Sequence, residues 1–282
     1  MSNEVAKYHN DLNTVVMRRW TSEELNLFFA IIAKARDKGT QELSFSTNEL
    51  KQLINFKPTS TQRWMDIIKN AINRMASIYY FEENEQTYEV MPLFGKFKYN
   101  KINETLDIRL NGDYTYILNN ITSKFTIFEL QEFINLKSTY AKTMYRLLKQ
   151  WRTVGKKRFN KEVLYMLLDV PKSTQPTKNF NPRVLTPIQE ELSPIFKGLK
   201  IEPVRARKQG RPIIAYDFSW KAEKVGEWVK DKYNYKTSAK DHKEIIPQWF
   251  NEQKEIINEH PKMLGYENEE EIRKKLKELL GE

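Results

Sequence analysis

Apolar residues recur along this chain at two spacings, three-and-four or alternating, and polar breaks cut the sequence into short elements. After a short strand expected at Thr14–Met17, Thr21 precedes Ser22-Glu23-Glu24 as a cap followed by acids. Carboxylates there meet open N–H groups and favour the positive end of the helix dipole. The helix that follows carries Leu25, Phe28, Phe29, Ile32 and Ala33 on one face, with Gly39 as a stop. Glu42–Phe45 reads as a strand, and Ser46/Thr47 caps a short helix over Glu49–Asn55 with Leu50, Leu53 and Ile54 inward. Beyond the break at Pro58-Thr59-Ser60, a longer helix over Thr61–Ser77 aligns Trp64, Ile67, Ile68, Ala71, Ile72 and Met75. Its outer side is left to Gln62, Arg63, Asp66, Lys69 and Asn73. Two β-rich segments, Thr87–Tyr99 and Thr105–Leu110, then form a hairpin turning at Asn100–Glu104.

The second half repeats this order. Thr126–Leu136 reads as one helix, and Ser138 caps another whose stripe is Tyr140, Met144, Leu147, Leu148 and Trp151, ended by Gly155. Lys157–Phe159 is a short strand, and Asn160 caps a helix with Val163, Leu164, Leu167 and Leu168, closed by Pro171. A polar turn leads into Asn181–Ile195, where Val184, Leu185, Ile188, Leu192 and Ile195 share a face. Gly198–Arg205 and Pro212–Trp220 flank a basic hairpin tip. Helix, strand, helix, turn, longer helix and hairpin is the order of a winged helix. The fold class expected is therefore α+β, two tandem winged-helix domains with a small helical tail. The divisions expected are 1–122, 123–221 and 222–282.

Charge makes the two halves unequal. The whole chain carries 47 Lys and Arg against 37 Asp and Glu, but residues 155–221 hold 14 basic and 6 acidic side chains, so most of the +10 excess sits there. A basic segment points to a polyanion. A recognition helix needs one apolar face for its own domain and a polar, partly cationic face for the major groove. Opposite the stripe that begins at Val184 stand Asn179, Arg183, Thr186, Glu190 and Lys197. Arg183 and Asn179 are the residues expected on bases, since arginine pairs with guanine and asparagine with adenine through two bonds each. Thr186 offers a methyl to thymine, Lys178 faces phosphate, and Lys197 is a further DNA contact expected on this face. Pro187 lacks an N–H, so it either kinks this helix or delays its start. Arg205, Arg207, Lys208 and Arg211 make the hairpin tip a phosphate or minor-groove contact. Lys156, Lys157 and Arg158 are expected on the backbone. In the first domain Gln62, Arg63, Lys69 and Asn73 are the equivalent contacts, weakened by Asp66.

Leu12-Asn13-Thr14-Val15-Val16, Leu147-Leu148-Lys149-Gln150-Trp151-Arg152 and Phe180–Phe218 together resemble the iteron-binding initiators of theta-replicating plasmids, of the RepB, RepE and RepA kind. Within the last stretch, Val184-Leu185-Thr186-Pro187-Ile188, then Gly210-Arg211 and Phe218, look like that family's second-domain helix and wing. The resemblance implies binding of direct repeats in double-stranded origin DNA, read mainly by the second domain. It also implies a monomer–dimer equilibrium through the first domain, with dimers repressing, and recruitment of the host DnaA and replicative helicase. A winged-helix transcriptional repressor without initiator activity shares the fold, and a DNA-bridging partition factor is a third reading.

Other chemistry is not expected. There are no cysteines, so disulfides, thiolate catalysis and zinc fingers are excluded. His9, His242 and His260 are widely separated, no Gly-Lys-Ser/Thr phosphate loop occurs, and Glu269-Glu270-Glu271 suits a helix start better than a metal. The expectation is no enzyme, no cofactor and no metal. Without a secretory signal at the N-terminus or a run long enough to span a bilayer, no membrane role and a cytoplasmic, bacterial location are expected. From Ala222 the charge turns slightly negative. Tyr233–Lys243 reads as a linker, and amphipathic helices are expected from Ile246 and over Glu269–Leu280. That tail either docks on a partner or packs back on its own domains.

Overall fold

A computed structural model of the chain describes residues 4–224 apart from 18, 58–59, 84–85, 113–114, 120, 122–123 and 208; the tail helices and Lys208 lie outside the described residues. Helix α1 (Ser22–Ala35) starts where its cap places it. The Thr21 hydroxyl accepts from the Glu24 N–H at 3.2 Å, and the Glu24 carboxylate accepts from the Thr21 N–H at 2.7 Å. Burial differs from the single stripe expected, because every residue from Glu24 to Ala33 is inside. One reason is β1 (Val5–His9), which pairs antiparallel with β7 (Phe125–Glu129). Tyr8, Phe128 and Phe133, the last from α5 (Leu130–Asn135), set their rings 4.8–5.7 Å from that of Phe29.

Two expected elements are therefore corrected. In place of a strand at Thr14–Met17 the chain forms a 3-10 turn over Asn10–Thr14, and in place of one helix over Thr126–Leu136 it forms β7 and then α5. Both changes have a nonlocal cause. The Asn13 amide donates to the Thr126 hydroxyl at 2.7 Å and accepts from the Tyr8 hydroxyl at 3.0 Å, and Thr126 donates to Asn10 at 2.9 Å. A buried amide is costly without such partners. The partner of β7 is 120 residues away in sequence, where no local periodicity registers it.

The rest of this unit follows the expected order: β2 (Leu43–Ser46), α2 (Thr47–Leu53), α3 (Thr61–Ala76), and the hairpin of β5 (Phe94–Asn100) and β6 (Thr105–Leu110). Their sheet runs β2–β6–β5. The expected strand Thr87–Tyr99 divides at Leu93, and its first part, β4 (Tyr88–Pro92), pairs instead with β3 (Tyr79–Glu83), which the periodicity did not predict. A short α4 (Thr115–Leu118) precedes β7.

The second unit repeats that topology. It holds α6 (Thr139–Lys149), β8 (Lys156–Asn160), α7 (Lys161–Leu167), a long helical run, then β9 (Lys200–Arg205) and β10 (Ile213–Ser219), with strand order β8–β10–β9. In both sheets the strand before the helix pair lies against the second strand of the hairpin. The units divide between Asn135 and Leu136 rather than after residue 122, since β7 and α5 are built into the first core.

The chain after β10 is held to the second unit at Gly155. Gly155 has φ +74°, its carbonyl accepts from the Trp220 N–H at 2.8 Å, and a Cβ there would lie 2.7 Å from the Trp220 carbonyl oxygen. Glu223 continues the attachment, its carboxylate 3.2 Å from Lys149 and 3.4 Å from Arg152. Gly155→Ala is expected to destabilise the protein by about 1–3 kcal/mol. Urea unfolding checks this: the midpoint falls while the slope is unchanged.

Candidate nucleic-acid interface

Between α7 and the sheet, α8 (Thr177–Phe180), a π-helical turn (Asn181–Leu185) and α9 (Thr186–Leu192) run end to end. This helix begins four residues earlier than expected, directly after Pro176. Pro187 neither breaks nor delays it. The Thr186 N–H bonds to the Asn181 carbonyl, five residues back, and this wider turn accommodates two prolines that have no N–H for the ordinary ladder. Phe180, Val184, Ile188 and Leu192 are all buried at a constant spacing of four. On a pure α-helix such a row drifts by about 40° per step, and the wider turn takes up part of that drift.

Opposite this row, Lys178, Asn181, Pro182, Arg183, Thr186 and Glu190 are exposed. Arg183 and Thr186 stand where the sequence puts them. Asn181, read from sequence as the helix start, belongs to the outer face. Asn179 is displaced from the expected role: it is half-buried and its amide donates to the Ser173 carbonyl at 2.8 Å. Lys197 is not on this face, lying five residues beyond the end of α9.

Asn179 belongs to a set of bonds that shape the turn between α7 and α8. Gln175 donates through its side chain to the Val170 carbonyl at 3.0 Å, and Tyr165 donates its hydroxyl to the Gln175 carbonyl at 2.8 Å. The same Tyr165 ring lies 4.8 Å from Phe180, which in turn lies 5.4 Å from Tyr216 of β10. Turn, helix and sheet are thus joined through one aromatic row. Burial, with Tyr216 and the negative Glu162 nearby, pushes the Tyr165 hydroxyl up to about 12. At the other end of the helix the Glu191 carboxylate accepts from the Lys137 and Ser138 N–H groups at 2.7 and 3.0 Å, capping α6. The acid-free part of the exposed face is therefore its N-terminal part.

The hairpin tip is closed by the Ala206 N–H on the Pro212 carbonyl at 2.9 Å and by the Arg205 guanidinium on the Arg211 carbonyl at 3.2 Å. Gly210 and Arg211 take positive φ there, and Arg205, Arg207 and Arg211 are exposed. Lys208 lies outside the described residues.

The trio Lys156, Lys157 and Arg158 separates, because a strand sends neighbours to opposite faces. Lys156 is exposed. Lys157 turns inward, its ammonium 4.0 Å above the Trp151 ring and lowered from its ordinary value by burial. Arg158 donates two bonds to Asp217 on β10, at 2.6 and 2.7 Å, and these hold the Asp217 carboxyl below the usual range. In the first unit, Gln62 donates to Asp66 at 2.8 Å and Arg63 pairs with Glu23 at 2.9 Å, while Lys69 and Asn73 are exposed.

Among the described residues no group of three or more histidine, aspartate or glutamate side chains is placed to hold a metal, and no helix is long and apolar enough to cross a membrane. His242, His260 and Glu269–Glu271 lie outside those residues.

Two family models match: initiator replication protein WH1 over residues 5–149 and initiator Rep protein WH2 over residues 160–220. The probable replication protein rep of Bifidobacterium longum (strain NCC 2705) is 36% identical over 212 residues, 74% of this chain and 71% of that protein. Among solved structures, the Pi initiator protein in complex with iteron DNA matches with TM-score 0.60 at 13% identity, over 79% of this chain and 99% of that one. At that identity the likeness is one of fold.

Tyr165→Phe removes the bond that anchors the turn and is expected to cost about 1 kcal/mol. It also changes the response to alkali. A tyrosine raised in the folded state contributes stability that is whole below its ordinary value of 10.0 and is lost as pH rises toward about 12. Unfolding measured across that window falls less steeply for the Phe variant than for the wild type.

Proposed function

The chain belongs to the initiator replication protein family, and from that premise we propose that it is a plasmid replication initiator binding direct repeats, the iterons, in double-stranded origin DNA. The observation that carries this reading is the outer face of the second unit's helix, exposed and free of acids from Thr177 to Arg183, together with three exposed arginines at the hairpin tip of the same unit. Arg183 and Asn181 read base edges, the Thr186 methyl contacts thymine, and Lys178 lies on phosphate. Arg205, Arg207 and Arg211 hold the neighbouring backbone or narrow groove, with Lys208 beside them in sequence. Support comes from the Pi initiator protein, which shares the fold and whose solved structure is a complex with iteron DNA.

The first unit takes the secondary contact and self-association. Two of its four candidate side chains, Gln62 and Arg63, already have acidic partners within the domain, which leaves Lys69 and Asn73 for phosphate. Bound at the iterons in the bacterial cytoplasm, the protein promotes origin opening and recruits the host DnaA and replicative helicase. Its dimer represses its own synthesis.

The test is genetic. A fragment with short direct repeats beside an AT-rich stretch, next to this reading frame, replicates only when the protein is supplied; operator binding without replication makes it a repressor instead. For the site, Arg183→Ala is expected to cost about 1–3 kcal/mol on the preferred repeat and to relax preference at one base pair. Arg207→Ala weakens all sequences alike and lowers the salt slope by about one. Binding titrations at several salt concentrations check both, and the opposite pattern overturns the assignment.

A further inference from the structure

The strand ladder of the second unit assembles lysines that are scattered in sequence. Lys156 on β8 and Lys200 on β9 both stand opposite Ser219 of β10, so the three share one face of the sheet. Two residues on, Lys221 donates its N–H to the Lys197 carbonyl at 2.8 Å, which places this pair at the same end of the sheet. All four lysines are exposed, and none has an ion-pair partner among the described residues. Strands about 4.8 Å apart put the backbones of Lys156 and Lys200 about 10 Å apart.

The neighbouring charges do not neutralise this group. In the next row Asp217 is held by two guanidinium nitrogens of Arg158, and Glu223 is turned to Lys149 and Arg152. Glu202, opposite Asp217, is the one acid of that row without an ion pair among the described residues.

The cluster is also apart from the helix and hairpin tip. Tyr216, Phe218 and Trp220 alternate with Asp217, Ser219 and Lys221 and are buried, and Tyr216 faces Phe180 of the helix. Lys156 and Lys200 therefore lie on the face of the sheet away from that helix, with Lys197 and Lys221 at the end of the sheet next to them. From Pro212 at the tip to Ser219 the strand runs about 23 Å.

We infer that Lys156, Lys197, Lys200 and Lys221 bind a phosphodiester backbone other than the one lying along the helix and hairpin tip. The inference rests on the DNA-reading role proposed above. Four unpaired ammonium groups repel one another, and a polyanion relieves that repulsion while releasing its counterions. Lysines at that spacing reach neighbouring phosphates of one strand. The backbone belongs either to a distal stretch of the same duplex or to a separate strand.

The full-length protein is first saturated with a short unlabelled duplex selected for specific binding, and a fluorescent oligothymidylate is then titrated in while anisotropy is followed. A long duplex carrying the same site with flanks is measured in parallel. The quadruple Lys→Gln variant at 156, 197, 200 and 221 is expected to bind the oligothymidylate or the long duplex on the order of tenfold more weakly, with a salt slope lower by about 2–4. Its affinity for the short duplex stays unchanged. Loss on oligothymidylate assigns a separate strand, and loss confined to the long duplex assigns the same duplex.

Equal binding by variant and wild type, or no second binding by wild type, overturns the inference, as does a loss on the short duplex itself. Glu202→Lys, which adds charge beside the cluster, is expected to tighten the second binding severalfold, and no tightening counts against it. If no short duplex is bound specifically, the DNA-reading role falls, and the oligothymidylate titration of the free chain still decides the lysine cluster.

Discussion

The second unit depends on where the Phe180 ring sits. It lies between Tyr165 of α7 and Tyr216 of β10, 4.8 and 5.4 Å away, and so ties the helix–turn–helix to the sheet at the start of the exposed helix. With Phe180 anchored, the row Val184, Ile188 and Leu192 follows inward, and Lys178, Asn181, Arg183 and Thr186 are turned out. The π-helical turn keeps that facing through two prolines. Aromatic packing thus sets the direction of the polar groups, which by themselves have no preferred orientation.

The first unit uses the same topology for a different balance of forces. Its central helix is enclosed on nearly all sides because the β1–β7 pair and α5 add a layer to the winged helix. The Tyr8–Asn13–Thr126–Asn10 network determines how that layer attaches, since Asn13 and Thr126 each donate and accept within it. With Gln62 and Arg63 engaged inside the domain, the first recognition-type helix has fewer unpaired donors than the second.

Folding also sorts the basic excess of residues 155–221. Part of it is neutralised, as in Arg158 with Asp217. Part is turned inward, as in Lys157 over Trp151. Apart from Lys161 beside Glu162 and Lys172 in the turn before α8, the remaining described basic residues lie in two places: the outer helix face with the hairpin tip, and the far end of the sheet. Strand alternation is the cause, since it places Lys156 and Lys157 on opposite faces although they are adjacent in sequence.

Much of this architecture was legible in the chain alone. The Thr21, Ser46, Ser138 and Asn160 caps all accept the backbone bonds expected of them, and the helix-strand order of both winged helices is local in origin. The exposure of Arg183, Thr186 and the hairpin arginines was legible because helical and β periodicities report which side faces out. The β1–β7 pair, the division at Asn135, the use of Asn179 within the turn and the gathering of four lysines were not legible. Each of these depends on a partner far along the chain or on a specific hydrogen bond. A side chain's spacing records its face, whereas its partner is decided only when distant segments are packed together.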